Sequence, residues 1–195
     1  MTHVERFRAL MNFEPVDRLP RIEWAHWWNK TTDRWHEEGL PEELTDPFGI
    51  RVHLGLDPYQ QTWIRPRHWD IPAPPHHGAG ILGDAAGYEA VREFLFRDDI
   101  MDLEGVRSWV EPHERGDLVV WITLEGFFWF PRTLFGIERH FYAFFDQPKL
   151  MHRMNEELVE HSLRMLDAYC EVLTPEFMTF AEDMSYNHGP MLSKD

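Results

Sequence analysis

The spacing of apolar residues changes period several times along the chain, and each change marks an element. Val4, Phe7, Leu10 and Met11 share one helical face. Thr2-His3-Val4-Glu5 fits a capping box, with Thr2 as N-cap and Glu5 at the third helical position. Pro15 and Pro20 end that helix, and Arg21-Ile22-Glu23-Trp24 reads as a short strand. Thr31 or Thr32 can cap a short helix running through Trp35 to Glu38, which Gly39 stops. Residues 41–86 read as an irregular excursion of loop and short extended pieces, irregular above all over 50–86. Pro66, Pro72, Pro74, Pro75, Gly78, Gly80 and Gly83 punctuate it, and Trp63, Trp69 and Ile71 suggest that it is packed. Helices are expected at about 87–96 and about 100–110.

Leu118 to Leu124 is the strongest strand in the chain. It is apolar on both faces, as in a buried parallel strand, and ends at Glu125-Gly126. Phe135 to Phe145 reads as a helix. Asp146-Gln147-Pro148 opens another, with Asp146 as cap and Pro148 in the first turn. Its stripe is Met151, Met154, Leu158, Met165, Tyr169 and Val172, and Thr174-Pro175 stops it. Phe177 to Ala181 is a second buried strand, ending at Glu182-Asp183. Alternating strands and helices predict an α/β fold with a parallel sheet.

Ligands of parallel sheets and barrels bind at the carboxyl ends of the strands. Glu23, Glu125 and Glu182-Asp183 are therefore the candidate site acids. Two adjacent acids after an apolar strand are costly unless they serve a site, cap a helix or accept hydrogen bonds that hold the loop, and like charge nearby can raise a pKa and make a general acid. His188 adds a proton donor or metal ligand. Glu182, Asp183 and His188 are the catalytic candidates, and together they are also a possible metal set for a hydrolase. Glu23, Trp24, His26, Glu125 and Gly126 are the binding candidates. Trp24, Trp27 and Trp28 can stack on a flat ligand or pack in a core. His76-His77, in a Pro/Gly loop, reads as solvated. Phe127 to Phe130 read as core or oligomer surface, and Cys170, within a helix, as structural.

Composition narrows the function classes. The chain has 195 residues, 19 basic and 34 acidic, for a net charge of −15. No Lys/Arg run provides the footprint that nucleic acid or an acidic membrane surface requires. With 43% hydrophobic residues the chain is not disordered as a whole. No apolar run reaches the ~18 residues of a membrane helix. The charged N-terminus lacks a signal-peptide core. A single cysteine forms neither an intrachain disulfide nor a Cys-rich zinc cluster. A cytoplasmic location follows.

Several segments, in order, resemble the uroporphyrinogen decarboxylase (URO-D) superfamily. Arg6 through Pro20 is similar to its opening helix and "x-P-x-D-R-x-P" turn. Leu124-Glu125-Gly126-Phe127-Phe128 resembles its "G-P-F" strand end, and Leu134-Phe135-Gly136-Ile137-Glu138 its "L-x-G-x-E" helix start. Asp146-Gln147-Pro148 matches its "D-x-P". Glu182 through Ser193 resembles the "E-D-x-x-Y-x-x-G-P-x-x-S" of an uncharacterised URO-D-like branch. The resemblance covers most of the chain and is weakest over 50–86.

It implies a (β/α)8 TIM barrel, of which residues 1–195 would be a single domain forming the N-terminal half, truncated at the C-terminus. It further implies an enzyme of tetrapyrrole- or corrinoid-linked small-molecule metabolism. True decarboxylases carry "R-Q-A-G-R-Y" after the first strand, where this chain has Glu23-Trp24-Ala25-His26-Trp27-Trp28. That absence of arginine, beside so many acids, favours methyl transfer between a corrinoid protein and a thiol over uroporphyrinogen decarboxylation. No cofactor is visible in the chain. Zinc is expected only if an absent C-terminal half supplies His/Cys ligands. A further alternative is a non-catalytic half-barrel that assembles with itself or with a complementary chain.

Overall fold

A computed structural model describes residues 1–193, so Lys194 and Asp195 lie outside the described residues. The chain divides into two compact units. One comprises Met1–Gln61 and Arg107–Trp121; the other comprises Thr62–Val106 and Ile122–Asp195.

In the first unit, α1 (His3–Met11) begins at the expected capping box: Thr2 Oγ1 accepts from the Glu5 amide at 3.1 Å and Glu5 Oε2 from the Thr2 amide at 2.8 Å. Helix α2 (Asn29–Glu37) starts at Trp28 with no side-chain cap, so Thr31 and Thr32 lie inside it. Gly39, at φ 115°, turns the chain out of it. Helix α3 (Pro47–His53) follows, capped by Asp46, and α6 (Val110–Glu114) lies later in the chain.

Asp57 ties these pieces together. Its side chain is only 4% exposed, and Arg18 grips it with two bonds of 3.0 and 2.5 Å. The Arg21 amide donates to it at 3.2 Å, and His3 Nδ1 stands 3.3 Å away. Arg6, itself forked onto Asp17, lies 3.9 Å off. Burial pushes the Asp57 carboxyl up, but Arg18, the Arg21 N–H and His3 outweigh it and hold it below the usual carboxylate range. Arg21 to Trp24 forms no strand; its Arg21 end is pinned to Asp57 through the Arg21 N–H and carbonyl.

The main sheet has three parallel strands in the order β1-β2-β3. They are β1 (Tyr59–Ile64), β2 (Val119–Glu125) and β3 (Phe177–Ala181). Every residue of the central strand β2 is buried. The edge strand β3 alternates, with Met178 and Phe180 exposed, so it is not the fully buried strand that its apolar run predicted. A second, antiparallel pair, β4 (Ser185–Tyr186) and β5 (Gly189–Pro190), follows.

Helices α4 (Ala85–Ala90), α7 (Trp129–Phe135), α8 (Ile137–Asp146) and α9 (Pro148–Cys170) belong to the second unit; α5 (Leu103–Arg107) precedes α6. Tyr88, Phe130, Leu134, Phe135, Met154 and Leu158 form the centre of this unit's core. The α9 stripe falls where its spacing predicted from Met151 to Tyr169, with buried His161 filling the seven-residue step between Leu158 and Met165; the helix ends at Cys170, so Val172 lies beyond it and is only half-buried. His140 is fully buried among Phe128, Phe141 and Phe144, with neither ring nitrogen hydrogen-bonded. Burial, with Arg132 adding to it, lowers its pKa to about 4.

The half-barrel expectation is overturned. The described residues hold one three-stranded sheet, one two-stranded sheet and no barrel. Barrel closure needs eight tilted strands. The expected first strand is a pinned loop, and the observed first strand lies inside the stretch expected to be irregular. No helix among the described residues is long and apolar enough to cross a membrane.

Two stability predictions follow from the buried charges. Asp57→Ala removes the acceptor of Arg18 and of the Arg21 amide and lowers the unfolding free energy by about 1–3 kcal/mol in urea titrations. Because the folded Asp57 pKa is depressed, its contribution is present above about pH 4 and lost as pH falls through the folded value. His140 acts in a higher window. Its unfolded form takes up a proton near pH 6.5 and its folded form only near pH 4. Wild type therefore loses stability against His140→Leu as pH falls between those values, by up to about 3 kcal/mol.

Candidate functional site

All three main strands run the same way, so their carboxyl ends lie on one edge. In the second unit that edge carries Arg65 and Arg67 after β1, Glu125-Gly126 at the end of β2, and Glu182-Asp183 after β3. This is the edge at which open parallel sheets bind ligands.

The stretch after β1 is held in place by backbone. The Phe96 amide donates to the Pro66 carbonyl and the His68 amide to the Phe94 carbonyl, both at 2.8 Å. His161 Nε2 sits 3.3 Å from the Arg65 carbonyl. The Arg67 guanidinium is thereby fixed, and its Nη2 donates to Glu125 Oε1 at 3.3 Å. The Glu125 side chain is 2% exposed. Its other oxygen, Oε2, is buried with no hydrogen-bond partner, as is Arg67 Nε. Burial pushes the Glu125 carboxyl up, and the charges of Arg67 and Arg65 offset only part of that. Glu125 therefore keeps its proton to higher pH than an ordinary glutamic acid.

Glu182 has a different task. Its Oε1 accepts from the Phe128 amide at 3.1 Å and its Oε2 from the Trp129 amide at 2.9 Å. A carboxylate from β3 thus satisfies the amides that open α7, where the helix dipole also favours negative charge. Gly126, whose amide bonds the Ala181 carbonyl at 3.1 Å, lies directly beneath this carboxylate. A Cβ at position 126 would collide with the Glu182 carboxyl group, so the glycine is required by close approach. Asp183 is more than half exposed, and Arg132 Nη1 reaches both its carbonyl, at 3.0 Å, and its Oδ2, at 3.3 Å.

The remaining candidates lie elsewhere. His188 is exposed in the turn between β4 and β5, edge-on to Tyr186. Glu23, Trp24 and His26 belong to the first unit. There Glu23 Oε1 accepts from the Ala25 amide, and Trp24 and His26 are exposed. Cys170, the last residue of α9, is exposed. Among the described residues, no three His, Cys, Asp or Glu side chains converge closely enough to hold a metal. Glu182, Asp183 and His188 are therefore not brought together as a metal set.

The sequence pattern points to the acids of this edge but not to Arg65 and Arg67. Arg67 belongs to a strand end hidden in the Pro-rich stretch, and it lies 58 residues before its partner. The available signal was the six-residue run Tyr59–Ile64, aromatic and β-branched at several positions and bracketed by Pro58 and Pro66. The chain matches no protein-family model, no curated protein and no solved structure.

Glu182→Ala strips the acceptor from two amides at the start of α7 and costs about 1–2 kcal/mol in chemical denaturation. Gly126→Ala drives a Cβ into the Glu182 carboxyl group and displaces it from both amides, so it costs at least as much as Glu182→Ala. In the double variant the Glu182 part of that cost is not counted twice.

Proposed function

We propose that the chain is an enzyme acting on an anionic small molecule at the carboxyl edge of its parallel sheet. Glu125 is the proton-transfer group, and Arg67 is its charge partner. The observation that carries this reading is Glu125 itself: a buried carboxyl at the end of the central strand, with one oxygen on an arginine and the other without a partner. A buried acid whose pKa is raised, standing at a ligand-binding edge, has the character of a general acid.

The resemblance to the URO-D superfamily supplies the substrate class. The argument against decarboxylation was a site of acids without cations. Arg67 now faces Glu125, Arg132 faces Asp183, and α7 neutralises Glu182. This electrostatic balance supports decarboxylation of a tetrapyrrole-type polycarboxylate as the leading reading. The carbon–carboxylate bond breaks, carbon dioxide leaves, and the electron pair left on carbon takes the Glu125 proton. The resulting carboxylate is then stabilised by Arg67. Methyl transfer between a corrinoid protein and a thiol is the second reading, favoured by Glu23-Trp24-Ala25-His26 in place of arginines. A cytosolic setting and a small-molecule partner belong to the same proposal.

The test is to incubate the purified chain anaerobically with uroporphyrinogen, following carbon dioxide, and separately with methylcobalamin and a thiol, following the cobalamin spectrum. Turnover of the first substrate is expected, with Glu125→Gln slower by about 10²–10⁴-fold. Arg67→Met moves the Glu125-dependent limb of the pH–rate profile to higher pH, because the cation that lowers its pKa is gone. Turnover of methylcobalamin alone selects the second reading. Turnover of neither substrate, or a Glu125→Gln rate equal to wild type, overturns the role given to Glu125.

A further inference from the structure

In the first unit, one cation is buried without an anion. Arg51 lies on α3, which Asp46 caps through the Gly49 amide at 2.8 Å, and it is 4% exposed. Its guanidinium carbon stands 4.2 Å from the centre of the Tyr59 ring and 5.7 Å from that of Trp27. Tyr59 in turn stacks on Trp121 at 4.4 Å. Arg51 Nε and Nη2 are both buried with no hydrogen-bond acceptor, and the Tyr59 hydroxyl beside them is buried without a partner.

The other buried arginine of this unit behaves differently: Arg6 has Asp17 and Asp57. No carboxylate stands within ion-pair distance of Arg51 among the described residues. Ring faces attract a guanidinium, but they accept no in-plane N–H bond. Two forked donors left unpaired inside the fold are a debt that the aromatic faces repay only in part. A planar fork aimed at no protein acceptor, with a hydroxyl donor alongside, matches the geometry of a bound oxyanion.

We propose that Arg51 anchors a binding site for the oxyanion of a small ligand, a carboxylate or a phosphate, with the Tyr59 hydroxyl as an additional donor. The wall toward Trp27 is the one nearest solvent. Trp27 sits on the stretch 21–28, which has no regular structure, and Trp24, Ala25, His26 and Trp28 around it are exposed. Glu23 on the same stretch is the rival occupant. Its charge bears on the Tyr59 hydroxyl, yet its Oε1 is held by the Ala25 amide at 3.1 Å rather than by Arg51. This site lies in the first unit and its test reads no enzymatic turnover, so it stands or falls apart from the role proposed for Glu125.

The experiment titrates the full 195-residue chain with inorganic phosphate and, separately, with benzoate, following tryptophan fluorescence and melting temperature. At least one anion is expected to give a saturable fluorescence change and a rise in melting temperature. Arg51→Met, which fills the space without the charge, weakens the response at least tenfold and melts higher than wild type when no anion is added. Arg51→Lys retains the charge, loses the fork, and also binds at least tenfold more weakly, so the test survives a failure of the methionine variant to fold. Glu23→Gln is expected to bind as tightly as wild type or more tightly. A response to phosphate alone or to benzoate alone identifies the source of the oxyanion. The proposal is overturned by the absence of a saturable response to either anion, or by an equal response in the Arg51 variants. It is also overturned if Glu23→Gln lowers the melting temperature while the anions fail to restore it, since Glu23 would then be the counter-ion of Arg51.

Discussion

Seven consecutive buried positions, Val119 to Glu125, leave no place for an ionised side chain unless something nearby offsets its charge. The strand nevertheless ends in glutamate, and much of the second unit is arranged around that ending. Arg67 is held by paired backbone on the Pro66–Phe96 side so that its guanidinium meets Glu125. The next residue has no side chain, which lets the Glu182 carboxylate lie against the backbone and take the first amides of α7. Three acids thus share one edge of the sheet, each answered differently: Glu125 by burial and an arginine, Glu182 by helix amides, and the exposed Asp183 by the half-buried Arg132.

Buried charge organises the first unit as well, with the opposite sign of shift. Asp57 is held ionised by its donors, whereas Glu125 is pushed toward its protonated form. The difference lies in the number of donors. Asp57 receives two guanidinium bonds and an amide, while Glu125 receives one long bond and has an oxygen without a partner. A carboxyl built for anchorage is saturated with donors, and one suited to exchanging a proton is not.

Local signals survived the passage from sequence to structure where one residue and its near neighbours decide the outcome. The capping box at Thr2 and Glu5, the apolar run of β2 and the stripe of α9 are of this kind. What failed depends on distant partners. The run Arg21 to Trp24 forms no strand, because the Arg21 backbone bonds to Asp57 instead. The strand Tyr59–Ile64 contains two glutamines and lies among prolines, so its apolar signal is diluted. The run Phe177 to Ala181 is apolar throughout, yet as the last strand in the order it has a neighbour on one side only. The barrel expectation failed for a related reason. Turns, caps and strand ends are shared by any strand–helix unit, and they do not count the strands that must close a cylinder. At the site, Glu125 and Glu182 were both legible as strand-end acids. Their opposite fates were not, because Arg67 and the α7 amides that separate them lie more than 50 residues away in the chain.

The contact between Glu182 and α7 also carries a temporal meaning. The amide of Trp129 is synthesised 53 residues before the carboxylate that receives it. Helices form from local contacts within microseconds, whereas pairing across a long intervening segment must first pay the entropy of closing that loop. The two amides have this acceptor only while β3 is docked beside β2. The start of α7 therefore reports the docking of the third strand: the Phe128 and Trp129 amides lose their acceptor, and with it protection from hydrogen exchange, when β3 detaches.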